Sequence, residues 1–127
     1  MELWKYLKSI MPTFILYTNT RHSSEVIDDI HTHANQILSS VIGKSSDFVL
    51  TLVNPDLSMK FGRNNEPCAY VEIKNVGSLD SDQTTAISRK ICHLIHTELG
   101  IEINKTYIEF QESSRHLWGW NGKTFAK

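Results

Sequence analysis

The feature that most constrains this chain is an order of elements that occurs twice. TFILYT, from Thr13 to Thr18, is a dense run of β-branched and aromatic residues that reads as a strand. After a polar connection, Val26, Ile30, Ala34, Ile37 and Val41 recur at three- and four-residue spacing, with Ile27 and Leu38 widening the stripe. That spacing describes an amphipathic helix, with Ser23 or Ser24 as its N-cap and Gly43 as its stop. FVLTLV, from Phe48 to Val53, is a second strand, ended by the turn chemistry of Asn54-Pro55-Asp56. The order then repeats. A third strand runs from about Cys68 to Val76, and Asp80 opens a helix with Gln83 in capping-box spacing. The stripe of that helix is Ile87, Ile91, Leu94, Ile95 and Leu99, Gly100 stops it, and TYIEF (Thr106 to Phe110) is a fourth strand. The aromatic, glycine-rich tail from Leu117 to Phe125 fits a short hairpin.

Each half is thus a βαβ unit, whose crossover is right-handed and makes its two strands parallel. Two such units side by side predict an α+β fold, a four-stranded sheet with both helices on one face. The first two strands are apolar on both sides, yet no helix remains for the other face. A second copy of the chain is the expected cover, so the sequence implies an oligomer.

Composition excludes several function classes. A formal net charge of −1, with scattered basic residues, gives no electrostatic footprint for nucleic acid. No apolar run is long enough to span a bilayer, so no membrane role is expected. Cys68 and Cys92 are too few for a disulfide scaffold and read as reduced, buried small hydrophobes. The opening MELWKYLKSI lacks the continuous apolar stretch of a secretory signal, which points to the cytoplasm and leaves leaderless secretion open. Residues 1–11 read as a leader, in which Leu3, Trp4 and Leu7 fit a short helical stripe, and residues 12–127 as the domain.

Four blocks carry a resemblance to a known family. Met11-Pro12 before a strand, a first helix ending in Gly43-Lys44, the segment FGRNNEPCAYVEIKNVG, and TYIEF with the terminal WGWNGKTFA resemble macrophage migration inhibitory factor and D-dopachrome tautomerase. The likeness runs from Pro12 to about Ala126. It implies the tautomerase fold, a homotrimer with active sites at subunit interfaces, and keto–enol tautomerisation of small aromatic keto acids such as phenylpyruvate, or isomerisation of dopachrome-type substrates. No cofactor is expected.

The resemblance also assigns roles residue by residue. Pro12 matches the family's catalytic base, an N-terminal proline. A free N-terminal proline is a secondary amine, whereas a proline inside a chain has an amide nitrogen without useful basicity. An α-amino group titrates near pH ~8, and an apolar pocket with a neighbouring cation lowers that value toward neutrality. A base poised there can move a proton between substrate atoms. Lys44 matches the lysine that holds the substrate carboxylate, Val76 an apolar wall position, Tyr107 a tyrosine reaching in from the neighbouring subunit, and Trp120 a rim tryptophan. Trp118 offers a further apolar wall. Glu109 stands where animal members have asparagine; pointing inward, it would repel an acidic substrate or raise the proline pKa. The animal cytokine's CxxC is absent, since Ala69, Tyr70 and Val71 follow Cys68.

Six histidines raise the question of a metal, chiefly His93 with His96 and His31 with His33, but no thiol or carboxylate completes a ligand set beside them. The leader poses the sharper question. With ten residues before Met11, Pro12 is internal and the base does not exist. Either the functional chain begins after Met11, or the leader is retained and the protein is a catalytically silent, cytokine-like binding protein with Pro12 blocked.

Overall fold

The computed structural model describes residues 11–43 and 45–126; the leader stripe of Leu3, Trp4 and Leu7, and Lys44, lie outside the described residues. Strand β1 (Thr13–Thr18) leads into helix α1 (Ser24–Ile42), which returns through a 3-10 turn (Ser46–Phe48) to β2 (Leu50–Asn54). The second unit is β3 (Ala69–Val76), α2 (Ser81–Leu99) and β4 (Thr106–Ser113). A hairpin of β5 (Gly119–Trp120) and β6 (Lys123–Thr124) follows.

The main sheet has four strands in the order β2-β1-β3-β4. Within each unit the strands are parallel, with Thr13 opposite Leu50 and Ala69 opposite Thr106. Where the units meet, β1 and β3 run antiparallel, with Thr13 opposite Lys74. The α+β architecture of two βαβ units therefore stands as expected.

Local chemistry sets the helix ends. Ser23 Oγ accepts from the Val26 N–H at the start of α1. Gly43 ends that helix at φ 79°, and its N–H donates to the Ser39 carbonyl. An L side chain there would strain the backbone. At α2 both arms of the capping box are made: Gln83 N–H donates to Asp80 Oδ1 at 2.8 Å, and Asp80 N–H donates to Gln83 Oε1 at 3.0 Å.

Both helices pack on one face of the sheet. Phe14 and Leu16 of β1 and Val71 and Ile73 of β3 are fully buried against Ile30, Ala34 and Leu38 of α1 and Ile87, Ile91 and Ile95 of α2. Burial of each of these side chains larger than alanine stabilises by roughly 1.5–3 kcal/mol. Strand alternation sends Ile15, Tyr17, Glu72 and Lys74 to the other face. There Leu50 is 56% and Leu52 42% exposed, which is the uncovered apolar surface that the sequence pattern anticipates. Among the described residues no helix is long and apolar enough to cross a membrane.

Two boundaries differ from expectation. Phe48 is not in β2: Ser45 Oγ accepts from the Asp47 N–H and winds Ser46–Phe48 into a 3-10 turn, so β2 begins at Leu50. In addition, β4 runs to Ser113, because its pairing with β3 continues up to Val76.

The reciprocal cap predicts that Asp80→Ala lowers stability by about 1 kcal/mol, while Asp80→Asn retains most of it. Urea denaturation followed by far-UV circular dichroism measures both.

Candidate active site

Pro12 is buried at the mouth of β1. Its carbonyl accepts from the Leu50 N–H at 3.1 Å, which aligns the start of β2 with the start of β1. The chain reaching Leu50 has just passed the 3-10 turn, so Asp47, Phe48 and Val49 also arrive beside Pro12. Lys44 lies outside the described residues, between Gly43 at the end of α1 and Ser45 at the head of that turn.

The C-terminal tail closes the site. Asn121 and Gly122 have φ of 56° and 76°. Positive φ at both centre positions is what a two-residue hairpin of this kind needs. Phe125 N–H donates to the carbonyls of Arg115 (3.1 Å) and Trp118 (3.2 Å), tying the hairpin down. Phe125 itself is buried in a cluster with Met11 and Val76, against which Phe48, Trp118 and Trp120 pack. Phe48 and Trp120 meet edge to face, with ring centroids 6.0 Å apart. A cavity of about 370 Å³ opens among Pro12, Phe48, Leu50, Trp118 and Trp120.

One protomer thus brings Pro12 and Trp120 to one cavity, with Val76 in the cluster behind it, but not Tyr107 or Glu109. Tyr107 is opposite Tyr70, and Tyr70 is opposite Tyr17. Tyr107 therefore lies level with the far end of β1, roughly 16 Å along the strand direction from Pro12. It is 66% exposed, and its ring rests on Phe61 at 4.8 Å between centroids. Glu109 is exposed on the open face and accepts from Tyr70 Oη at 2.8 Å. The same hydroxyl lies 3.2 Å from Glu72 Oε2, and Tyr17 Oη donates to Glu72 Oε1 at 3.3 Å. The hydrogen bond to Glu109 is the first cause holding the Tyr70 phenol above its usual pKa, with partial burial and the charges of Glu72 and Glu109 adding to it.

A larger concavity, about 820 Å³, lies elsewhere: an open groove along α1 and α2 that includes His33, Arg89 and His93. It does not touch Pro12. The smaller cavity is the better candidate because the start of β1, the crossover turn and the tail converge on it. Among the described residues no group of three or more His, Cys, Asp and Glu is placed to hold a metal. His31 Nδ1 instead pairs with Thr51 Oγ1 at 2.7 Å, and His96 Nδ1 with the Ile101 carbonyl at 3.1 Å.

With this geometry in view, comparison with known proteins is decisive. Residues 11–126 match the family model described as macrophage migration inhibitory factor. The chain belongs to the macrophage migration inhibitory factor family. The Xenopus tropicalis macrophage migration inhibitory factor is 30% identical over 116 residues, 91% of this chain and 100% of the relative. The Mus musculus protein is 32% identical over the same shares. Among solved structures, a macrophage migration inhibitory factor homologue from Prochlorococcus marinus superposes with a TM-score of 0.85 at 31% identity, covering 90% of this chain and 99% of the other. An Entamoeba histolytica macrophage migration inhibitory factor-like protein reaches 0.84 at 27% identity, covering 90% and 98%. The family lies within the tautomerase superfamily, and its fold is typically oligomeric.

Sequence reasoning did not single out Met11 and Phe48 as walls of this cavity, or Phe125 as part of the apolar cluster beside it. Phe48 read as a strand residue and Phe125 as the end of a tail. Their convergence on Pro12 is tertiary, and no local spacing signals it.

The network predicts that Tyr70 ionises well above the ordinary pH ~10, and that Glu109→Gln brings it down. Ultraviolet difference titration of the phenolate band resolves the shift.

Proposed function

We propose that residues 12–127, with residues 1–11 absent, form a keto–enol tautomerase for small aromatic keto acids of the phenylpyruvate or dopachrome type. The observation that carries the reading is the aromatic-walled cavity at Pro12. Membership of the tautomerase superfamily supports it.

The chemistry follows from the nitrogen. Once Pro12 is first, its secondary amine takes a proton from the carbon next to the substrate carbonyl. Electrons move into the carbonyl, and the oxygen receives a proton to give the enol; the reverse sequence restores the keto form. Phe48, Trp118 and Trp120 offer apolar surface to the substrate ring and disfavour the ammonium form of the amine, keeping the base available. Lys44, next in the chain to the C-cap of α1, holds the substrate carboxylate and adds positive charge that lowers the amine pKa further. Val76 supports the wall from behind. Tyr107 belongs to the site of a neighbouring copy in a homotrimer assembled through the open face and edges of the sheet. Its exposure and its distance from its own Pro12 fit that arrangement. Glu109, two residues farther along β4, is held by Tyr70 and tunes specificity rather than binding the carboxylate.

One observation favours a second reading for the leader-bearing chain. Met11 is buried beside Pro12, whose nitrogen is then an amide, so that form is catalytically silent and acts as a cytokine-like binding protein.

Purified protein beginning at Pro12 is expected to convert phenylpyruvate, followed by enol absorbance. Pro12→Gly is expected to lose at least about 100-fold in kcat/KM, the scale of positioned proton transfer. Lys44→Ala is expected to raise KM more than it lowers kcat. Full activity in the intact 127-residue chain would contradict the free-amine mechanism. Light scattering is expected to report a trimer; a monomer counts against a site shared between copies.

A further inference from the structure

We infer that Asn75 is the positioning residue of the Pro12 amine, its side-chain oxygen accepting the N–H that this nitrogen acquires once Pro12 is first. The inference rests on reading Pro12 as a free-amine base, and it adds how that base is aimed.

Asn75, near the end of β3, is fully buried. Its Nδ2 donates to the Gly77 carbonyl at 3.4 Å. Among the described residues its Oδ1 has no hydrogen-bond partner. Such an orphan is uncommon, because a buried acceptor stripped of water and left without a donor costs folding free energy.

Strand register identifies the missing donor. β1 and β3 pair antiparallel, with Phe14 opposite Ile73 and Thr13 opposite Lys74. One step further brings Pro12 opposite Asn75, and one beyond that Met11 opposite Val76. Met11 and Val76 share one buried cluster, so the two segments stay alongside each other through these positions. Residues directly opposite on an antiparallel pair share a face, with Cβ atoms about 4.5–5.5 Å apart. The Asn75 oxygen, two bonds beyond its Cβ, is therefore within reach of the Pro12 nitrogen. From the other side of β1, the Pro12 carbonyl accepts from the Leu50 N–H at 3.1 Å, an anchor that does not involve the leader. In a chain that keeps its leader, the Pro12 nitrogen is an amide without hydrogen. The acceptor is in place and the donor is missing. Loss of Met11 supplies it.

The consequence is direction. A neutral secondary amine has one N–H and one lone pair. With the N–H on Asn75, the lone pair is left for the cavity walled by Phe48, Trp118 and Trp120. After proton transfer the ammonium has two N–H groups: one stays on Asn75 and the other is the proton to be delivered. An amide oxygen favours the charged donor, so Asn75 holds the pKa up against the apolar walls. Other charges surround the amine. Asp47 lines the cavity, Lys74 adjoins Asn75, and Glu112, opposite Asn75 on β4, accepts from the Leu79 N–H at 2.7 Å. Lys44 lies outside the described residues. All are common to the variants below, so differences between them report residue 75.

The test is 15N NMR titration of Pro12 in chains beginning at Pro12: the parent, Asn75→Leu and Asn75→Asp. Asn75→Leu is expected to lower the Pro12 pKa by about 1, the scale of one hydrogen bond to a charged group. Asn75→Asp is expected to raise it. The acidic limb of kcat/KM for phenylpyruvate should move in the same directions. In the intact chain, Asn75→Leu is expected to be at least as stable to urea as the parent, since the acceptor it removes has no donor there. A Pro12 pKa indifferent to both substitutions overturns the inference, as does an equal loss of stability from Asn75→Leu in the two chains. Should Asn75→Leu fail to fold, Asn75→Asp decides alone: a raised pKa supports the inference and an unchanged one overturns it. Turnover separates this outcome from failure of the tautomerase reading. A Pro12 pKa that follows residue 75 without turnover leaves the contact standing and removes the enzyme. Turnover with a pKa indifferent to residue 75 does the reverse.

Discussion

Two crossovers, both subject to the same right-handed rule, lie in one sheet, and the site depends on that constraint. Because β1 and β3 run antiparallel at the centre, both helices fall on the face that carries Phe14, Leu16, Val71 and Ile73. Among the described residues the two helices cover only that face. The other face leaves Leu50 and Leu52 exposed, and the start of β1 at Pro12 lies beyond the helix-covered core. The mouth is closed by the crossover turn before β2 and by the tail after β4. An aromatic cavity is the result, built from segments far apart in sequence.

The same constraint separates the predicted site residues. Parallel pairing within each unit puts the starts of β1 and β2 at one end of the sheet. Antiparallel pairing between units puts the starts of β3 and β4 at the other end. Tyr107, at the start of β4, cannot reach its own Pro12 without a break in register. A site using both therefore draws them from different copies. The exposure of Tyr107 and the uncovered apolar strip on β2 are two consequences of one topology.

The parts of this fold that are legible in the sequence are local. The Asp80–Gln83 capping box, the Gly43 and Gly100 stops and the stripe from Ile87 to Leu99 are settled by neighbours within a few residues, and all are found as read. In α1 the wholly buried residues are Ile30, Ala34, Leu38 and Ile42, with Ile37 and Val41 only half-buried, because the angle of approach of the helix selects among apolar positions the stripe leaves equivalent. The start of β2 was hidden because Ser45 caps a turn where Phe48 alone argues for strand. Pro12 and Trp120 were singled out only through family resemblance, and both line the cavity at the start of β1. Met11 and Phe48 as cavity walls, and Phe125 in the cluster beside them, were not legible, since those positions depend on the meeting of three distant segments.

The account depends on the state of one nitrogen. In a chain beginning at Pro12 it is an amine among Phe48, Trp118 and Trp120, an environment that penalises the ammonium form. Titration of that nitrogen by NMR, with proline labelled by 15N, tests this most directly. The account predicts a pKa clearly below the ordinary α-amino value of about 8. A value at or above it would contradict a base poised for proton transfer at neutral pH.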